Sequence, residues 1–198
     1  MEKWSTSFGR CLTSLLSTLN SISLIIVYSF YHFFGIVTAS KCTLENTRFA
    51  AALAAKKPNM QGVAVARAYS LPIASASCDA LTNVFSPFCR EEFERVLKRG
   101  GYLVNVIPAE KHLWELKAAV YDHPYENKLN PIETEGFRFV EKIAVEKRIT
   151  LPSQEDIAAL MMMTPYFYRT SREGHARAEA LSSIDLTASF YLLVYQKI

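Results

Sequence analysis

An α/β fold built on a mostly parallel sheet is what this sequence predicts, and three observations carry the expectation. Residues 78–108 read as strand, polar loop, amphipathic helix, Gly-Gly turn and second buried strand, a unit whose length implies a right-handed crossover between parallel neighbours. The chain closes on the strongly apolar run Ala188-Ser-Phe-Tyr-Leu-Leu-Val-Tyr195, which suits a terminal strand inserted into a sheet. Half of the 198 residues are hydrophobic and 21% are charged. That is the composition of a globular protein with one substantial core rather than of a disordered chain.

The first stretch departs from this pattern. Between Arg10 and Lys41 there is no Asp, Glu, Lys or Arg, and the run from Leu15 to Val37 is long enough for a membrane-spanning helix of ~20 residues. Ser17, Thr18, Asn20, Ser21, Ser23, Ser29 and His32 dilute it. Lys3 and Arg10 ahead of it, with Val37 and Ala39 spaced like small residues at a cleavage site, also resemble a signal peptide. The third reading is a pair of buried strands over residues 24–28 and 33–37. Residues 1–34 are therefore set apart as an atypical apolar segment, and residues 35–198 are taken as the main domain.

From Thr43 the composition becomes that of a soluble protein. Residues 43–57 are rich in Ala with Lys56 and Lys57 in the last turn, which predicts a helix ending before Pro58. Residues 62–66 read as a short strand, 69–72 as a loop, and 73–77 as the lead into the strand that begins near Cys78. Val84 and Phe85 close that strand. Asn83, Ser86 and Pro87 then supply small polar groups and a rigid turn at its carboxyl end, where open α/β sheets bind ligands.

In the following helix Phe93, Val96 and Leu97 share one face, while Arg90, Glu91, Glu92, Glu94, Arg95, Lys98 and Arg99 cover the rest. Gly100-Gly101 is expected to end it as a left-handed cap. Residues 102–107 form a buried strand that Pro108 stops. A helix over 110–121 would turn Leu113, Leu116, Ala119 and Val120 inward, with His112 in its first turn, either as a surface cap or over a ligand.

Residues 123–135 carry Pro124, Asn127, Asn130 and Pro131 and read as a loop. Residues 137–151 alternate with charges as one or two strands. Ser153 opens a helix with an acidic first turn, in which Ile157, Leu160 and Met161 to Met163 act as core filling. Thr164-Pro-Tyr-Phe-Tyr-Arg169, close to Arg172, can either stack and neutralise a nucleic acid or close the edge of a core. A helix over 173–181 leads into the final strand.

The four cysteines, at 11, 42, 78 and 89, form no Cys-x-x-Cys pair and have no His at zinc-ligand spacing, so no metal site is expected. Reduced thiols of a cytoplasmic protein are the simpler reading. A net charge of +3 permits an acidic partner such as RNA without requiring one.

Five runs, in order, resemble the bacterial ribosomal RNA guanine-N1 methyltransferases that act on large-subunit RNA: Val65-Ala-Arg-Ala-Tyr-Ser-Leu-Pro72; Asp79-Ala to Asn83-Val-Phe-Ser-Pro87; Leu97-Lys-Arg-Gly-Gly-Tyr102; Lys111-His-Leu-Trp-Glu-Leu-Lys117; and Met163-Thr-Pro165. The resemblance extends from about Gly35 to the C-terminus. It implies a Rossmann-like class I methyltransferase sheet, mostly parallel with an antiparallel C-terminal strand, S-adenosylmethionine as cofactor, and a ribosomal RNA hairpin as partner. By the same resemblance Asn83, Ser86, Pro87 and Phe88 line the base-and-methyl end, His112 contacts the cofactor, and Ala66 and Leu71 lie near the adenine.

Three departures accompany it. The family's zinc module has no counterpart among these cysteines and histidines. Its glycine-rich first loop would fall near residues 24–34, where there is no glycine before Gly35; bulky Tyr28, Phe30 and Tyr31 cannot give a ligand the same close approach to backbone. Val37 and Thr38 stand where an acidic residue would bind the cofactor ribose. These departures describe a truncated or frame-disrupted relative with an incomplete cofactor site. A degenerate, non-catalytic fold and a membrane-tethered interaction module stay open as alternative functions, and so does a homodimer.

Overall fold

The computed structural model describes residues 35–38, 42–45, 62–65, 69–129 and 134–198. Its strands are β1 (Gly35–Thr38), β2 (Cys42–Glu45), β3 (Gly62–Val65), β4 (Cys78–Val84), β5 (Leu97–Pro108), β6 (Phe137–Leu151) and β7 (Ile184–Lys197). The helices among the described residues are α1 (Arg90–Val96), α2 (Trp114–Val120), α3 (Gln154–Met163), α4 (Tyr166–Arg169) and α5 (Arg172–Glu179). The strands form one seven-stranded sheet in the order β3-β2-β1-β4-β5-β7-β6.

The α/β class and the antiparallel terminal strand are both present: β7 lies between β5 and β6 and runs against each of them. The sheet is mixed rather than mostly parallel. β2 with β3 and β4 with β5 are parallel, but β1 opposes both of its neighbours. Residues 39–41, between β1 and β2, are too short a connection for a parallel crossover, which needs a dozen residues or more, so the two strands pair as a hairpin.

Other boundaries differ from the expectation. The helix over 43–57 is corrected at its start, since Thr43 to Glu45 pair in β2; 46–57 lie outside the described residues. So does nearly all of 15–37, although Gly35–Thr38 is a strand. No helix among the described residues is long and apolar enough to cross a membrane.

At the α1–β5 junction the helix stops at Val96 rather than running to Arg99. Leu97 is already extended, with ψ 139°, and pairs with Cys78. Burying Leu97 completely in the sheet core outweighs one more helical turn. The Gly-Gly pair therefore serves an irregularity inside β5: Gly100 has φ +75°, and a Cβ on Gly101 would fall 2.8 Å from the Lys98 carbonyl oxygen. The helix end is capped from elsewhere, because Lys197 Nζ donates to the carbonyls of Glu94 at 2.6 Å and Leu97 at 2.9 Å.

Side-chain alternation sorts the core by sheet face. Leu81, Leu103, Leu193 and Tyr195 pack with Phe93 and Val96 of α1. Val104, Val106, Phe190, Leu192 and Val194 form the opposite face. A third cluster joins Leu113, just before α2, and Leu116 and Val120 of α2 to Ile157, Leu160 and Met161 of α3, Tyr166 and Ala178, and closes on Leu151 and Leu186. It exists because the antiparallel β6–β7 pair outruns β5: Pro108 pairs with Phe190, and residues 184–189 continue past it.

Ser153 caps α3 as expected, its Oγ accepting from Asp156 N at 3.2 Å. Residues 137–151 are one strand. The methionines divide: Met161 is buried and Met162 half exposed.

Two substitutions test this packing in urea melts. Phe93→Ala empties a fully buried site and is expected to lower stability by ~3–5 kcal/mol. Gly174→Ala would place a Cβ 2.3 Å from the Val120 carbonyl oxygen and 2.5 Å from Thr170 Cγ2, so it should cost about 1–3 kcal/mol through overpacking between α2 and α5.

Candidate active site

The carboxyl ends of β4 and β5 meet at Asn83 and Asn105, which are in register. Asn83 is fully buried on the α1 side of the sheet. Its Nδ2 donates to Asn105 Oδ1 at 2.9 Å and to the Ser86 carbonyl at 3.1 Å. This pair ties the strand ends to the turn that follows. Asn83 Oδ1 and Ser86 Oγ are buried, yet neither has a hydrogen-bond partner. An unmet buried acceptor costs about 1–3 kcal/mol, and two of them stand within four residues at the end of β4 and the turn after it.

Phe85 enters that turn with φ +50°. A left-handed conformation at a bulky residue costs about 1–3 kcal/mol, and here it sends the ring to the other side of the sheet. The Phe85 ring centroid lies 5.9 Å from His112 and 5.9 Å from Phe190, with His112 and Phe190 5.6 Å apart. The structure therefore divides the expected set. Asn83 faces α1, His112 sits against Phe85 on the opposite face, and Ser86 and Pro87 occupy the rim between them.

His112 is buried in the turn before α2 rather than exposed in the first turn of a longer helix. Nδ1 lies 2.9 Å from Ser189 O and 3.3 Å from Ser189 N. The shorter contact favours the proton on Nδ1, donated to the carbonyl. Burial, opposed by the Ser189 bond and aided by the Lys117 charge, pulls the imidazole pKa down to about 4, so it is neutral at physiological pH.

Two further residues of the same motif hold neighbouring backbone. Glu115 accepts from Thr187 N at 3.0 Å and Thr187 Oγ1 at 2.6 Å. Burial pushes its carboxyl up, but the Thr187 bonds outweigh that and leave it below the ordinary value.

Lys117 is completely buried. Nζ donates to Tyr125 O at 2.9 Å and Asn127 Oδ1 at 2.7 Å and lies 4.7 Å from the Tyr125 ring centroid. Among the described residues it has no ion-pair partner, and burial lowers its pKa. Asn127 Nδ2 continues to Ala109 O at 2.7 Å, so this buried ammonium fastens the loop after α2 to the end of β5.

Leu71 is buried beneath α1 and donates its backbone N–H to Glu92 Oε1 at 2.6 Å. Arg95 grips the same loop, donating to Leu71 O at 3.0 Å and Ile73 O at 2.8 Å while its guanidinium pairs with Glu92 at 2.6 Å. The hydrogen bond from Arg95 holds the Glu92 carboxyl below its usual range. Phe88 packs edge-on against Phe93 at 5.4 Å. Ala66 lies outside the described residues.

Asn105, Glu115, Lys117 and Arg95 were not singled out from sequence. A polar side chain inside the apolar run 102–107 was the available signal for Asn105; the others read as ordinary helix-surface charges. No cluster of His, Cys, Asp or Glu suited to a metal occurs among the described residues. Cys78 and Cys89 are buried free thiols, and burial raises the Cys89 pKa.

A strained turn with unpaired acceptors thus lies at the carboxyl end of the parallel β4–β5 pair, the position at which open α/β sheets bind ligands. No family model matches the chain. The chain is similar to a Bacillus subtilis (strain 168) protein named "Putative 23S rRNA (guanine-N(1)-)-methyltransferase YxjB", with 29% identity over 140 residues, 68% of this chain and 49% of that protein. A protein of the same enzyme name from Micromonospora griseorubida is 29% identical over 171 residues, 83% of this chain and 58% of its own length. The chain thus spans about half the length of these curated relatives.

Among solved structures, a SAM-dependent methyltransferase from Thermotoga maritima is similar at a TM-score of 0.41 and 18% identity, covering 78% of this chain and 72% of that one. The YcgJ protein of Bacillus subtilis gives 0.42 and 16%, covering 78% and 80%.

The buried imidazole generates a pH prediction. An unfolded histidine titrates near 6.5 and this one at about 4, so between those values the unfolded chain takes up a proton that the folded chain refuses. Stability contributed by neutral His112 is complete above pH 6.5 and falls by up to about 3 kcal/mol as the pH drops to 4. Urea melts across pH 4–7 should show a shallower acid loss for His112→Gln than for the parent.

Proposed function

We propose that residues 35–198 act as a methyltransferase-type domain that uses S-adenosylmethionine to methylate a guanine N1 in large-subunit ribosomal RNA, in the cytoplasm. The observation that carries this reading is the pair of unpaired buried acceptors, Asn83 Oδ1 at the end of β4 and Ser86 Oγ in the turn after it. The reacting edge of guanine offers the donors N1–H and N2–H₂, the complement of those two acceptors. The residues present thus fit the base end of such a site. The cofactor would supply an electrophilic methyl on a sulfonium.

The chain's own residues then have distinct tasks. Asn105 fixes Asn83 so that its carbonyl oxygen stays available. Ser86, at the rim, would accept from the base through its unpaired Oγ. The backbone of 71–73, clamped by Arg95 and Glu92, is the surface for the adenine. His112, held neutral and engaged with Ser189, supports Phe85 and the rim turn. Methylation at N1 would also release the N1 proton, and because an amide oxygen and a neutral hydroxyl accept hydrogen bonds without acting as bases, that proton would pass to solvent water; the contribution of these groups is chiefly orientation.

Titration calorimetry with S-adenosylmethionine and transfer of a labelled methyl group to a 23S rRNA hairpin test the reading. Saturable binding tighter than about 1 mM is expected. Ser86→Ala should lower transfer roughly 10- to 100-fold, ~1.4–2.7 kcal/mol of transition-state stabilisation. Absence of binding at millimolar cofactor would overturn the proposal.

A further inference from the structure

The segment joining α3 to α5 carries a chemistry that the packing does not use. Tyr166 is buried, and its hydroxyl donates to the His112 carbonyl at 3.5 Å. The next two rings turn outward: Phe167 is 38% exposed and Tyr168 82% exposed, with centroids 5.4 Å apart in an edge-on arrangement. His175 braces Phe167 from behind, with rings 5.0 Å apart and Nε2 2.9 Å from the Phe167 carbonyl oxygen. On the far side Ser171 caps α5, accepting from Gly174 N at 3.1 Å. The two outward rings thus stand on a fixed support.

Two cations accompany them. Arg169 and Arg172 are exposed and make no ion pair or hydrogen bond among the described residues. Arg177, by contrast, is committed to Ala119 O at 3.0 Å, Val120 O at 2.7 Å and Asp122 at 2.9 Å. Between Thr164 and Ala178 the only carboxylate is Glu173. An exposed aromatic ring flanked by uncommitted guanidinium groups is complementary to a base and its phosphates.

We infer that the turn 167–172 is a docking ledge for single-stranded RNA, with one base stacked on Tyr168 and the flanking phosphates on Arg169 and Arg172. The inference rests on the ribosomal RNA reading above and gives that substrate its second contact. Its position supports this: Tyr166 ties the ledge to His112, and the His112 ring touches Phe85, the neighbour of Ser86.

Fluorescence anisotropy of the full chain with a labelled ten-nucleotide single-stranded pyrimidine RNA tests the ledge. Tyr168→Ala is expected to weaken binding roughly 10-fold, whereas Tyr168→Phe keeps the stacking face and stays within about twofold. The Arg169→Ala/Arg172→Ala variant should flatten the slope of log K against log salt by about 1.4, two phosphates at ~0.7 each. Parent-like affinity in Tyr168→Ala, or an unchanged slope in the double variant, would overturn the inference.

Calorimetry with S-adenosylmethionine on the same variants separates this from the reading beneath it. Loss of RNA affinity without cofactor binding in the parent leaves the ledge standing and removes the methyltransferase role. Cofactor binding with RNA affinity indifferent to Tyr168 does the reverse.

Discussion

β7 runs past the end of β5, and the backbone edge it exposes there has to be hydrogen-bonded by something other than a strand. Ala109 N and Leu113 N take the carbonyls of Ser189 and Thr187 at 3.0 and 2.9 Å. His112 and Glu115 meet the remaining groups of the same two residues. One short motif thereby replaces a missing strand with a turn and the start of a helix. Because α2 is pinned in this way, its apolar side faces Leu151 and Leu186, and α3 to α5 have a surface on which to pack.

The same constraint shapes the candidate site. Leu113 must adopt φ 52° to pass from the turn into α2, and Phe85 adopts φ +50° at the end of β4; the His112 ring lies beside one and next in sequence to the other. Two strained residues in contact with one neutral imidazole close one wall at the carboxyl edge. The opposite wall is the Asn83–Asn105 pair and the loop that Arg95 and Glu92 clamp. A protonated imidazole would have no acceptor for a second N–H within this apolar sandwich, so the wall depends on the histidine staying neutral.

The parts legible in the sequence were those governed by local rules. The β4–α1–β5 crossover followed from a helical stripe between two apolar runs, the Ser153 cap from its acidic first turn, and the insertion of β7 between β5 and β6 from its apolar length. The polar turn at Ser86 was legible because a small polar cluster at a strand end has few structural uses. Elsewhere tertiary contacts overrode local propensity. Leu97 left a favourable helix to pair with Cys78, and Thr43 entered a strand within an Ala-rich run that favours helix. Lys117 was hidden because a helix pattern assigns charge to solvent, whereas a loop that returns over α2 supplied carbonyl and amide acceptors. The resemblance gave Asn83 to the base-and-methyl end and His112 to the cofactor of one site without revealing that the sheet passes between their side chains.

The central claim is that the rim at Ser86, lying between these two walls, receives the ligand. Amide chemical-shift mapping of the isotopically labelled chain during titration with S-adenosylhomocysteine tests it most directly. The account predicts saturating shifts concentrated in residues 83–88 and 71–73, with smaller ones at Leu113. Shifts confined to β6 and the helices α3 to α5, with residues 83–88 unmoved, would contradict it.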